Sequence, residues 1–157
     1  MSEIKIISAS LNQIKELQNL NDEVFIDNSR YDEDLKIDWA QSDEGGKKYF
    51  TELLKSSNSI CLIAKDNDKN IGYLVACPKE IPYRLSKYIE IENMGVIPEY
   101  RCRGIGQKLI DECLKIAKER GFQKVYVNAY FKNIGAINFY KKNGFTEIDL
   151  SLEKSIK

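Results

Sequence analysis

At 157 residues, with 43% hydrophobic and 31% charged side chains and only 3 prolines, the chain reads as one globular domain over residues 1–157. No window approaches the roughly 18 apolar residues of a membrane span, so no membrane partner is expected. Lys plus Arg equals Asp plus Glu at 24 each, so no basic excess points to nucleic acid, and the absence of His removes Ser-His-Asp and Cys-His catalysis for want of a general base.

Ile4, Ile6 and Ile7 open the chain as a short strand, with Ser8 and Ser10 as cap candidates for a helix that follows. Leu11, Ile14, Leu17, Leu20 and Val24 recur at helical spacing. From Asp22 to Glu44 nine acids face two bases, a local charge of about −7, and past Val24, apart from the lone Trp39, the stretch up to the second helix has no steady period. It reads as a loop or short helix. Tyr49, Phe50, Leu53 and Leu54 mark a second helix after Gly45-Gly46.

The apolar runs of residues 59–65 and 71–76 flank Asp66-Asn67-Asp68-Lys69-Asn70, which predicts an antiparallel hairpin. A third run, residues 88–96, ends at Ile97-Pro98. Leu109, Ile110, Cys113, Leu114 and Ala117 give the clearest helical stripe in the chain, closed by Gly121. Residues 125–129 read as a strand, 136–142 as a short helix stopped by Asn143-Gly144, and 145–152 as a last alternating strand. Strands grouped first and then interleaved with helices imply a mixed α/β domain.

The N-terminal decapeptide has no basic region followed by an apolar one, so a cytoplasmic protein is expected. Cys61, Cys77, Cys102 and Cys113 lack C-x-x-C spacing, and without His a zinc site would need all four, so no metal is expected. Residues 101–157 hold twelve bases against six acids, the counterweight to the acidic segment.

The segment carrying chemistry is Val96-Ile97-Pro98-Glu99-Tyr100-Arg101-Cys102-Arg103-Gly104-Ile105-Gly106, between a strand and the strongest helix. Gly104 and Gly106 let a ligand approach the backbone, and the first-turn N–H groups with the positive end of the helix dipole form an anion cradle. Arg101 and Arg103 add charge. The glycines make neither a Walker loop nor a dinucleotide fingerprint. A second element follows another strand: Asn133-x-x-Ala136-x-x-Phe139-Tyr140-x-x-x-Gly144-Phe145.

The two elements, in this order and with one helix and one strand between them, resemble the GCN5-related N-acetyltransferase (GNAT) superfamily. The resemblance is good over residues 60–150, while the first 58 residues fit only as the expected strand and helices. It implies a mixed, mostly antiparallel twisted sheet, splayed between strands 4 and 5 and flanked by helices, with acetyl-CoA as the acetyl donor. By that resemblance Arg101, Cys102, Arg103, Gly104, Ile105, Gly106 and Gln107 would cradle the pyrophosphate. Met94, Gly95 and Val96 would line the pantetheine and acetyl group, and Asn133 with Ala136 would contact the pantetheine arm. Tyr140 would stand near the thioester sulfur and protonate the departing thiolate. A dimer through the last strands is a common outcome on this fold.

An attacking amine must lose a proton, so a carboxylate is expected near the strand before the cradle. Glu90 and Glu92 share a face by period-two alternation, and Glu90, eleven residues before Arg101 where histone-acetylating members carry their general base, is by that resemblance the expected base ahead of Glu92. Asn128 stands where ribosomal-protein N-terminal acetyltransferases tend to have Glu, and counts against that subfamily. Cys102, between two arginines at a helix N-terminus, has the setting of a reactive thiol but lies in the loop assigned to the pyrophosphate. The resulting expectation is N-acetyl transfer to a primary amine by direct attack in a ternary complex, with a cationic small amine such as a polyamine as acceptor. The alternatives are a protein or peptide acetyltransferase and a non-catalytic acyl-CoA-binding domain.

Overall fold

A computed structural model describes residues 2–157. Five strands form one sheet in the order β1-β2-β3-β4-β5: β1 Ile4–Ser8, β2 Ile60–Asp66, β3 Lys69–Lys79, β4 Tyr88–Val96 and β5 Lys124–Val127. The first four pair antiparallel and β5 runs parallel to β4. The β2–β3 hairpin turns at Asn67, which takes a positive φ of 52° that Asn tolerates better than most residues. Four α-helices cover the sheet: α1 Ile14–Asn28, α2 Lys48–Lys55, α3 Ile105–Glu119 and α4 Ile134–Lys142. None is long and apolar enough to cross a membrane.

Side-chain alternation divides the core between the two faces of the sheet. On one face Leu62, Leu74, Ala76, Ile89 and Ile91 pack against Ile105, Leu109, Ile110, Cys113 and Ala117 of α3. On the other, Ile63, Tyr73 and Val75 meet Leu17 and Leu20 of α1 and Phe50 and Leu53 of α2. α1 crosses β4 at Gly95, where a Cβ would come within 2.5 Å of Val24 Cγ2.

Two features of β4 shape the molecule. It pairs with β5 only from Tyr88 to Ile91, so residues 92–96 have no β5 partner and the sheet opens there into a wedge. Against β3 the register steps between Val75 and Ala76, which pair with Asn93 and Ile91, so Glu92 is the extra residue of a bulge.

Two expectations need correction. α1 runs a turn past Val24 to Asn28, so Asp27 is helical, while residues 29–38 are the loop; a short 3₁₀ turn at Trp39–Gln41 and a π turn at Asp43–Lys47 lead into α2. The alternating segment 145–152 forms no strand. Phe145 packs on Tyr140, but Ile148, Leu150 and Leu152 are exposed and no neighbouring edge pairs with them. Alternation marks a strand only where a partner buries one face.

Candidate functional site

The loop after β4 is built to leave N–H groups free. Gly104 caps α3 at φ +79°, and the first intrahelical bond runs from the Lys108 N–H to the Gly104 carbonyl, so the N–H groups of Ile105, Gly106 and Gln107 have no intrahelical acceptor. A Cβ at Gly104 would meet nothing within 4 Å, so open space lies in front of the helix end. Cys102 is exposed and has a φ of +60°, turning the chain ahead of the cap. These donors suit a phosphate or other anion. Gly106 has a different role: a Cβ there would press on the Phe139 ring at 3.1 Å, so its smallness lets α4 close on α3.

Neither arginine stands alone over this cradle. Arg101 donates from Nε to the Val96 carbonyl at 2.9 Å, and its terminal nitrogen pairs with Asp27 of α1. Arg103 stacks over the Tyr100 ring at 5.1 Å, and Gln107 donates to Asp111. Met94 and Val96 project toward the α3 core, whereas Gly95 faces α1, so these three do not share a face.

Across the wedge, α4 begins at Asn133, whose side chain accepts from the Ala136 N–H at 3.1 Å. This is a cap in the ordinary sense. Tyr140 is half-buried among Phe139 and Phe145, and burial pushes its phenol up to about 12.

The bulge turns Glu92 and Asn93 to the α1/α2 face together. Glu92 accepts from the Tyr49 hydroxyl of α2, and Asn93 accepts from the Tyr73 hydroxyl, which in turn accepts from Asn21 of α1 at 2.8 Å. Glu90 shares the face, but its carboxylate lies 3.5 Å from the Lys79 ammonium, which also sits 4.7 Å over the Tyr126 ring. The two carboxylates thus differ: one is neutralised by the protein's own cation, the other held by a neutral donor.

The acidic loop reaches the same region. Tyr31 stacks on Tyr130, the third residue after β5, and the Tyr130 hydroxyl donates to Asp32 at 2.7 Å. That bond and the Asp34 N–H hold the Asp32 carboxyl below its ordinary range, while burial, then Asp32 itself, pushes Tyr130 up to about 12. Phe25, Trp39 and Tyr49 form a continuous aromatic run from α1 toward Glu92. Sequence reading missed Tyr49, Asn93 and the Tyr130–Asp32 contact. Tyr49 shows there only as part of an apolar stripe, and a bulge leaves no local signature.

The acetyltransferase (GNAT) family model matches residues 14–145, and the chain belongs to that family. An uncharacterized N-acetyltransferase of Methanocaldococcus jannaschii is 37% identical over 101 residues, covering 63% of this chain and 44% of that protein. An N-alpha-acetyltransferase of Sulfurisphaera tokodaii is 31% identical over 108 residues, 64% of each. The chain spans about half the length of the curated relatives it matches. Among solved structures, aminoglycoside N-acetyltransferase AAC(6')-Iy in complex with CoA superposes with a TM-score of 0.78 at 16% identity, over 99% of this chain and 95% of that one. An aminoglycoside acetyltransferase from an uncultured soil metagenomic sample, in complex with sisomicin, gives 0.74 at 23%, over 98% and 97%. At these identities the likeness is one of fold.

Proposed function

We propose that the chain is an acetyl-CoA-dependent N-acetyltransferase, a single domain over residues 1–157, acting on a cationic small amine. One observation carries the reading: β4 parts from β5 at Glu92, so a carboxylate stands at the mouth of a wedge whose strand leads directly into the open N-terminus of α3. Acetyl-CoA supplies an acetyl thioester. The N–H groups at the start of α3 hold its pyrophosphate, with Gly104 leaving the approach clear. Backbone groups of residues 92–96, released from pairing with β5, line the wedge, and an N–H near Val96 polarises the thioester carbonyl.

Glu92 takes the proton from the acceptor's ammonium, since Glu90 is already paired with Lys79. The neutral amine attacks the carbonyl, the Tyr140 phenol, kept protonated by burial, gives its proton to the departing thiolate as the C–S bond breaks, and the second proton shed by the nitrogen restores the phenol, leaving one proton on Glu92 to pass to solvent. Cys102 takes no part, because it lies in the loop before α3, nine residues of chain beyond Asn93. The acidic loop held at Tyr130 favours a positively charged acceptor such as a polyamine or aminoglycoside, and the aminoglycoside acetyltransferases of like fold support a small amine. The test is a panel of polyamines, aminoglycosides, amino acids, lysine peptides and free peptide N-termini, scored by free thiol released from acetyl-CoA. Highest kcat/KM on a multiply charged small amine supports the reading; highest on peptides makes the chain a protein acetyltransferase.

A further inference from the structure

Glu92 stands on a bulge and is largely exposed, so nothing in its own strand fixes its rotamer. The Tyr49 hydroxyl donates to its Oε1, and the Cys77 thiol of β3 lies against the same carboxylate. Tyr49 is held in turn: its ring lies 5.6 Å from Trp39, which stacks on Phe25 of α1, and edge-on to Phe50 at 5.1 Å. This aromatic run fixes the phenol from two helices before it reaches the carboxylate.

We propose that Tyr49 is the positioning residue that fixes Glu92 as proton acceptor in the wedge. The inference rests on the assignment of Glu92 as the base. In the transfer, a proton passes from the acceptor ammonium to Oε2 of Glu92, and Tyr49 keeps its own proton throughout. Burial and the neighbouring carboxylate both hold the phenol protonated, so it remains a donor across any working pH. The other groups around Glu92 are Cys77 from β3, Glu90 with Lys79 along the sheet, and Tyr126 from β5 beneath Lys79. Cys77 is pushed up to about 11 by burial, which leaves Glu90 and Glu92 as the two carboxylates of the group. Of these, Tyr49 donates to Glu92 alone.

A hydrogen bond donated to a carboxylate favours its ionised form, so removing the hydroxyl disfavours that form. Tyr49→Phe keeps the ring and its packing. It is expected to move the acidic limb of kcat/KM for the acceptor upward and to lower the plateau about tenfold, with KM for acetyl-CoA unchanged. The experiment compares pH profiles of the wild type, Tyr49→Phe, Glu92→Gln and the double variant. If Glu92→Gln abolishes the limb, Tyr49→Phe shifts it, and the double variant is no slower than Glu92→Gln, Tyr49 acts through Glu92. If Glu92→Gln abolishes the limb while Tyr49→Phe leaves it in place, or if the two losses multiply, the positioning role is overturned and the base stands. A limb unchanged in Glu92→Gln overturns the base itself.

Discussion

Arg101 is bound to Asp27 across the join between the anion-binding loop and α1, and the same guanidinium holds the carbonyl at the end of β4. A residue whose type and position suggest a phosphate contact is thus a tie between loop, strand and helix. Arg101→Ala is expected to lower stability by about 1 kcal/mol, discounted for the partial exposure of the pair, while weakening acetyl-CoA binding less than about fivefold. Chemical denaturation and calorimetric titration separate the two effects. A loss of binding near a hundredfold with unchanged stability would make Arg101 a direct phosphate ligand.

The two glycines of the cradle predict different failures. Gly104→Ala puts a Cβ into open space but at φ +79°, a backbone strain of about 1–2 kcal/mol, and Gly104→Glu adds a repelling charge at the helix end and should abolish acetyl-CoA binding. Gly106→Ala presses on Phe139 and should loosen α4. In the double variant Gly106→Ala/Phe139→Leu, the thermal midpoint should recover part of what Gly106→Ala loses. A Gly104→Glu protein that folds and binds acetyl-CoA as before would remove the cradle from the account.

Tyr140 carries a signed pH prediction. A general acid works only while protonated, and burial raises this phenol to about 12, so its contribution is present below that value and is lost as pH rises through it. With the wild type, kcat should show no falling basic limb from Tyr140 up to about pH 10. Tyr140→Phe should lower kcat about 10²–10⁴-fold with acetyl-CoA affinity little changed. Turnover close to wild type in that variant would assign the protonation to water.

α3 was legible because its stripe of Leu109, Ile110, Cys113 and Ala117 has the helical period and glycines stand at both ends. The hairpin was legible for a similar reason, from two apolar runs about a short Asn/Asp turn. What stayed hidden depends on partners distant in the chain. Whether Glu92 is bulged is decided by its pairing with Val75 and Ala76, and whether Arg101 is free by Asp27, 74 residues away. The last turn of α1 was hidden because Asp27 and Asn28 interrupt the apolar pattern past Val24 while the backbone continues helical. Segment 145–152 erred the other way, with the pattern of a strand and no edge to join.

The acidic loop should steer a cationic acceptor. Attraction between exposed charges is screened beyond about 8 Å at physiological salt, so the acceptor KM should rise with added salt. Because Asp32 is engaged by Tyr130, the neutralised variant is Glu33→Gln, Asp34→Asn and Asp38→Asn, three exposed positions. It should show a higher KM and a weaker salt dependence, with kcat unchanged. A KM independent of salt in the wild type would leave the loop as solvated surface.

Chemical transfer, as against mere binding of a thioester, is read out by mixing the protein with acetyl-CoA and a polyamine while following free thiol and amide together. One thiol is expected per amide formed, with dependence on both substrates, intersecting initial-velocity lines and loss of both products in Glu92→Gln. Tight acetyl-CoA binding with no thiol released above the uncatalysed rate, for any amine in the panel, would contradict transfer and leave the chain an acyl-CoA-binding module.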